Sequence, residues 1–595
     1  MLDVVTPRGQ AATRRLRRYL LAIAAMVLAA AFLPGSRAAA DATGNLMYAP
    51  TSANEANAYA RVIELQHAGA ENGTLLGTFE HWNTDGTPSE YIIRSSTDSG
   101  SSWSNYSTVP DTQTGTGHPV SQMWQPFLFE FPHQLGAYPA GTIMLVGNTV
   151  PAGVPYTEFQ EWLSFDHGKT WTSMGVIQKG GTFNDGIWEP SVHLDTEGQL
   201  VMEFSDERDN VAHSQMISQM VSDNGGASWS APTPVVASSV QPDRPGMANV
   251  VQVGPHGGFV MSYEVCGQPN CAAHLKFSSD GLHWGNAADL GSWIETTDGY
   301  YLGNSPNITW VPNGTPQGEL VMAAQQIFDA VNSQPAPIDY RAVFINTDGG
   351  RGSWNWAPSP WQVSNASSSC NADYSPDLLP IGSDGQILYT APTSVSGSSS
   401  CGEGTGSADL GVLPYQSEFN SGSEAGWEMF GGKWSVNGGV LSETGGGTGG
   451  NKALTGSSGW TDYQLSAQVE ATSAGSVDGV AVRVSDPSTG ADSYQGYLVF
   501  FDSGSGNLVI AREDYAYEPL ATVAVPGGIS VNKWYQVDVR VVGSRISATL
   551  APAGGAQIAQ VAVTDPYNSF PHGMIALRDF NGTASWQDIT VAQLR

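Results

Sequence analysis

The stretch Ser96-Thr97-Asp98-Ser99-Gly100-Ser101-Ser102-Trp103 recurs, position by position, as Ser164-Phe165-Asp166-His167-Gly168-Lys169-Thr170-Trp171. Ser222-Asp223-Asn224-Gly225-Gly226-Ala227-Ser228-Trp229 keeps the frame with Asn at the acidic place. Ser278-Ser279-Asp280-Gly281-Leu282-His283-Trp284 shortens it by one residue, and Asn346-Thr347-Asp348-Gly349-Gly350 to Trp354 is a degenerate fifth copy. Each copy has the chemistry of a tight turn: the Asp or Asn side chain caps backbone N–H groups, Gly takes a positive φ, and Trp packs between neighbouring strands. Successive acidic positions lie 68, 58, 56 and 68 residues apart, which leaves room for four short strands and their turns at each step. Dividing residues 45–415 by a mean spacing near 62 gives about six such units. The expectation is an all-β chain with a six-bladed β-propeller over residues 41–415.

Composition agrees with that reading. The chain has 595 residues, too many for one ordinary core, and 70 of them are glycines without a collagen period. Only 13% are charged, and the abundance of Gly, Ser, Thr, Tyr and Trp favours short strands over long amphipathic helices. The formal charge of −31 would repel a phosphate backbone, so a nucleic-acid partner is excluded. Arg14, Arg15, Arg17 and Arg18, the apolar stretch Leu20 to Leu33, and Ala38-Ala39-Ala40 read as a secretion signal over residues 1–40. Arg17-Arg18 also resembles a twin-arginine signal, and the general export pathway is the preferred reading. After its removal 18 basic residues face 54 acidic ones. No later run reaches the ~18 apolar residues of a membrane span. The expected mature protein is secreted, extracellular, free of the membrane and monomeric.

All four cysteines fall in that mature part, which predicts two disulfides, Cys266–Cys271 and Cys370–Cys401. No histidine cluster at zinc spacing and no compact Asp-x-Asp-x-Asp calcium loop accompanies them, so no metal or cofactor is called for. After about Pro414 the repeat stops and period-two alternation takes over, as in Tyr463–Val469, Val480–Val484 and Trp534–Arg540. Residues 416–595 are expected to form a β-sandwich, and the propeller is expected to fold without it.

The repeated turns resemble the Asp-boxes of sialidases and related exo-acting glycosidases, where the boxes are structural and lie away from the active site. The C-terminal part resembles a concanavalin-like jelly roll of the laminin-G or family 66 carbohydrate-binding type, which implies a sugar-binding module with exposed Tyr or Trp as stacking platforms. From about Tyr59 to Tyr389 the chain resembles glycoside hydrolase family 93, the exo-α-1,5-L-arabinofuranosidases or exo-arabinanases. That likeness is carried by Trp188-Glu189-Pro190, Phe204-Ser205-Asp206-Glu207, Ser214-Gln215-Met216-Ile217, Arg244-Pro245-Gly246-Met247 and Tyr263-Glu264. It implies a retaining exo-hydrolase of arabinan, a plant cell-wall polysaccharide, that releases arabinobiose from the non-reducing end, with Glu189 as nucleophile and Glu264 as general acid/base. Independently of the likeness, Pro190 fixes the chain after Glu189 and the Cys266–Cys271 loop stiffens the exit from Glu264. Glu203 and Glu207 are local competitors.

Two other readings compete. A sialidase would clamp a carboxylate with three arginines and attack with a tyrosine. Arg61 and Tyr374 could match the first arginine and the nucleophile, but Asn304 stands in Gly303-Asn304-Ser305-Pro306 where another arginine would be needed. A neutral furanoside does not need that charge. Arg61, Trp188, Arg244 and Tyr374 are therefore the expected substrate-binding residues. The second alternative is a non-catalytic sugar-binding propeller, which would be expected to lose Glu189 or Glu264; both are present.

Overall fold

The computed structural model describes residues 45–594, apart from residues 53, 84–86, 112–120, 152–155, 183, 255–256, 314–316, 364–369, 383–385, 396–399, 411–412 and 420–421. The expected signal, residues 1–40, lies outside the described residues. Strands make up the greater part of what is described, and the helical turns Gly69–Glu71 and Pro269–Cys271 are short. Six antiparallel blades follow one another in chain order. Their first strands are Glu55–Glu64, Ser121–Glu130, Ile187–Leu194, Arg244–Gln252, Asn307–Val311 and Asp377–Ile381. Blade six lacks a fourth strand of its own: Asn45–Tyr48 supplies it by pairing with Cys401–Asp409, so the two ends of the propeller close the ring together.

The repeated frames are the turns after the third strands. In the first, Ser96 Oγ accepts the Gly100 N–H at 2.9 Å and Asp98 Oδ1 accepts that of Ser102 at 2.8 Å. Gly100 has φ +84° and a Cβ there would lie 2.7 Å from Leu388 of blade six, so glycine is required twice over. In the first three frames the tryptophan bonds to the preceding blade: Trp103 Nε1 donates to Thr405 Oγ1, Trp171 to Ser107 Oγ and Trp229 to Glu161 Oε2. These residues lock blade to blade and have no part in the centre.

A second repeat sits at the inner strands. One residue per blade has a positive φ there: Tyr59 (58°), Gln125 (50°), Glu189 (58°), Met247 (58°), Ser305 (44°) and Ser375 (50°). In the first four blades the pairing register shifts at this residue, the signature of a β-bulge. A bulge frees an amide and re-aims a side chain. The freed amides are taken up by the blade before: Gln125 N–H donates to Glu80 Oε2 (3.3 Å), Glu189 N–H to Gln125 Oε1 (3.1 Å) and Met247 N–H to Ser205 Oγ (3.1 Å). Ser305 N–H donates to Glu264 Oε2 (2.6 Å) and Ser375 N–H to Ser305 Oγ (2.9 Å). Arg61 closes the circuit from blade one, giving two N–H groups to Ser375.

Tyr415–Ser417 begins a two-sheet sandwich, whose strands pack Leu465, Val480, Tyr497, Val499, Leu577 and Trp586 between the sheets. The other face of one sheet is also covered. Ala481, Leu498, Phe500, Met574 and Ala576 share a core with Leu275, Tyr300, Trp354 and Trp356 of the propeller. A buried ion pair, Arg341 Nε to Glu428 Oε1 at 2.6 Å, and reciprocal bonds between Trp356 and Ser458 seal the same seam. This core stands against the expectation that the propeller folds alone, because removal of the sandwich strips apolar side chains from an interior rather than from a linker. Both disulfides form as expected, Cys266–Cys271 and Cys370–Cys401.

Candidate active site

Along the strand Phe259–Cys266, Glu264 and Cys266 are half-buried after a run of buried residues, and Glu189 is half-buried beside Trp188 in Ile187–Leu194. Both glutamates therefore open onto the central funnel. The bulge turns Glu189 inward, where Oε2 accepts a hydrogen bond from Ser205 Oγ. Pro190 sits after it, as the sequence suggests. Glu264 faces Gly246 across the ladder, one residue before the Met247 bulge. The Cys266–Cys271 loop presents the Cys271 carbonyl to the Asn304 amide at 3.1 Å, which fixes the next amide, Ser305, on Glu264.

Burial pushes the Glu189 carboxyl up to about 7, against the Ser205 hydrogen bond that favours its charged form. Burial likewise pushes Glu264 to about 8, with the Ser305 amide opposing it and the Glu189 charge adding to it. Each lies close enough to feel Arg244, which favours the ionised forms. The sequence reading expected surroundings that drive the two values apart. Instead both rise, since both carboxyls share one poorly hydrated floor, and the order leaves Glu264 the weaker acid.

Tyr374 stands among them. Burial raises its phenol well above the ordinary value, and the carboxyls of Glu189, Glu80 and Glu264 raise it further. It packs with Tyr59, Trp82 and Met247 across the axis. Arg244 is held from three sides: its Nη2 bonds Glu207 Oε1 and Gln215 Oε1, and its Nη1 donates to the Ser214 carbonyl at 3.1 Å. Glu207 also accepts Trp188 Nε1 at 3.0 Å. Trp188 stacks on Trp124 with centroids 6.2 Å apart, and Trp124 meets Trp82 edge-on at 6.4 Å, so three blades contribute one aromatic wall.

Glu189, Glu264, Tyr374, Arg244 and Trp188 thus converge. Arg61 does not join them. It is 4% exposed, stacks 4.0 Å over the Tyr59 ring and uses its N–H groups on Ala60 and Ser375, which makes it the clasp of the bulge circuit. Glu203 is fully buried beside His193, 3.2 Å from Nδ1, facing away from the funnel. Glu207 is a support for Trp188 and Arg244. Glu80, Gln125 and Ser305 escaped the sequence reading. A signal existed: Gln125-Pro126, Glu189-Pro190, Ser305-Pro306 and Ser375-Pro376 repeat one X-Pro step at the same place in four blades. Among the described residues no group of three or more His, Cys, Asp or Glu is arranged to hold a metal ion.

Chemically, the floor offers a carboxyl able to attack, a second able to give and take a proton, a cation to balance them, and an aromatic wall for a sugar face. The fold has counterparts among solved structures. The chain is similar to the GH93 α-L-arabinofuranosidase of Fusarium graminearum, solved with arabinobiose, at 24% identity and TM-score 0.52, covering 62% of this chain and 98% of that one. It is similar to the α-L-arabinanase of Penicillium chrysogenum, also solved with arabinobiose, at 25% identity and TM-score 0.52, covering 62% and 99%. Residues 414–592 match the family model of the 3-keto-alpha-glucoside-1,2-lyase-like domain. No curated protein matches the chain.

Proposed function

We propose that this chain is an exported glycoside hydrolase, a retaining exo-arabinanase that cleaves α-1,5-linked L-arabinofuranosyl chains from the non-reducing end and releases arabinobiose. The observation that carries the reading is the pair Glu189 and Glu264, two half-buried carboxyls from neighbouring blades, close enough that the Glu189 charge raises Glu264. The fold shared with two proteins solved with arabinobiose supports the choice of sugar.

In this reading Glu189 attacks the anomeric carbon while Glu264 gives its proton to the departing glycosidic oxygen, so the C–O bond breaks and a glycosyl ester forms. Glu264, now ionised, takes a proton from water; the hydroxyl oxygen attacks the same carbon, the ester bond breaks, and both carboxyls return to their starting states. Arg244 steadies the ionised Glu189 between turnovers. Trp188, fixed in plane by Glu207, offers its face to a sugar ring. The sandwich in this reading is part of the enzyme's body. Trp427, Trp434, Trp460 and Trp586 are buried within it, and Tyr515, Tyr517 and Tyr567 are the exposed rings left for any contact with polymer.

Incubation with linear α-1,5-arabinan, with the anomer of the first product read by proton NMR, tests the reading. Arabinobiose of retained configuration is the expected product. Release of sialic acid from a sialyl glycoside, or binding of arabinan without cleavage, would replace it.

A further inference from the structure

We propose that Glu80 is a third substrate-contacting carboxyl of this site, gripping a hydroxyl of the sugar held against Glu189 from the side of the funnel opposite Glu264. The inference rests on the function proposed above and adds a residue that no motif marks.

Glu80 occupies in blade one the place that Glu264 occupies in blade four. Each lies on the second strand of its blade, Leu75–Asn83 and Phe259–Cys266. Each faces the residue just before the bulge, Ala58 for Glu80 and Gly246 for Glu264. Each uses Oε2 to accept the bulge amide of the next blade, Gln125 or Ser305. In a six-membered ring, blades one and four are opposite, so one position delivers two carboxyls from facing walls. The same position holds Ser205 in blade three, where the hydroxyl serves Glu189. Blade by blade, this is the place from which the fold addresses the funnel.

Glu80 is half-buried, and the hydrogen bond it accepts, from the Gln125 amide, falls on Oε2 and leaves Oε1 outside it. The groups that face it are Glu189, Glu403, Tyr59, Tyr91 and Tyr374, all of them neutral or negative. Arg61 stands in the same company and favours the charged forms of Glu403 and Tyr59, while burial with the Glu189 charge pushes the Glu80 carboxyl up to about 8 against the Gln125 amide. A neutral Glu80 keeps Oε2 as the acceptor for Gln125 and carries its proton on Oε1, a donor pointed at the sugar.

The test compares Glu80→Ala and Glu80→Gln in the full-length protein on α-1,5-arabinotriose, with melting temperature followed alongside. Glu80→Ala is expected to lower kcat/KM by at least ~10-fold, the cost of a missing hydrogen bond to a desolvated hydroxyl. Glu80→Gln keeps a donor and an acceptor, so it should recover most of that loss and make the alkaline fall of kcat/KM less steep, with one ionisation removed. Equal losses in both variants, an unchanged pH profile, or a lower melting temperature with normal kcat/KM would overturn the proposal. Should the wild type leave arabinotriose intact, the proposed function falls by itself. Infrared spectra at pH 7 then decide for Glu80: a protonated-carboxyl band that Glu80→Gln removes supports it, and a band that Glu80→Gln leaves unchanged overturns it.

Discussion

The amide of Ser305 donates to Oε2 of Glu264 at 2.6 Å, so the proposed acid/base is held by the backbone of the next blade rather than by a side chain of its own. Such a bond favours the ionised carboxyl, yet burial outweighs it and the group stays up at about 8. A proton donor results that is fixed in place and still protonated at neutral pH.

The pH dependence of kcat/KM should follow from that order. Activity requires Glu189 ionised and Glu264 protonated, and with values of about 7 and about 8 the working state is most populated between them. A bell-shaped profile on arabinan is expected, its two limbs belonging to the pair as a unit. Glu264→Gln should slow arabinan cleavage far more than cleavage of an aryl arabinofuranoside and should abolish the alkaline limb on the latter. Glu189→Ala should stop both, and azide should restore part of the turnover as a glycosyl azide of inverted configuration.

Stability should fall as the solution becomes alkaline. Glu80, Glu161, Glu264 and Glu319 are all raised to about 8, burial being the largest cause in each. A carboxyl raised on folding contributes stability that is fully present below its ordinary value near 4.5 and is lost as pH climbs through the folded value. Melting temperature should therefore be highest in mild acid and decline toward pH 9. Glu319, 2% exposed and far from the proposed chemistry, provides the control. Glu319→Gln should melt higher than wild type at pH 8.5 and not at pH 5, and equal melting at both would contradict the assignment.

Glu207→Ala should act through its neighbours. It frees Trp188 Nε1 and one N–H of Arg244 together. A fall in kcat/KM of about 10- to 100-fold is expected, because two donors lose their shared acceptor at once. Most of the loss should appear in KM, since the aromatic wall binds the sugar without entering the chemistry. A fall confined to kcat would place Glu207 among the reacting groups instead.

Expression of residues 41–414 should give aggregated protein, while residues 41–595 stay soluble. The cut removes half of the core that holds Tyr300, Trp354 and Trp356, and leaves Arg341 without Glu428. Light scattering and a thermal melt decide the matter. A soluble, cooperatively melting propeller would show the seam to be dispensable.

Reduction of Cys266–Cys271 should be felt at Glu264. The bridge holds the Cys271 carbonyl on the Asn304 amide, one residue before Ser305. Mild reductant, or Cys266→Ser with Cys271→Ser, should lower kcat and move the alkaline limb upward as the Ser305 bond loosens. An unaltered profile would confine the bridge to local stability.

The blades were legible because their turns need Asp, Gly and Trp at fixed offsets, and a turn carries its own chemistry wherever it lies. Glu189 was legible through Trp188 and Pro190, which flank it in sequence. Glu80 was not. It sits in Thr78-Phe79-Glu80-His81, an unremarkable strand, and acquires a role only when blade two brings the Gln125 amide against it. Arg61 shows the converse: its type suggests ligand binding, and only the ring shows that Ser375, 314 residues away, takes two of its N–H groups. The shared core was hidden as well, because Phe500 and Ala576 read as ordinary strand residues whichever wall they face.

The pairing of Asn45–Tyr48 with Cys401–Asp409 has a temporal consequence. The first strand of the propeller waits for the last, so blade six is completed only after the roughly 350 residues between them have been synthesised. Until then blade one has no left-hand neighbour and Arg61 has no Ser375 to grasp. The floor of the proposed site is thus an assembly of late contacts: a nascent chain carries Glu189 and Glu264 through much of its synthesis while lacking the closed ring around them.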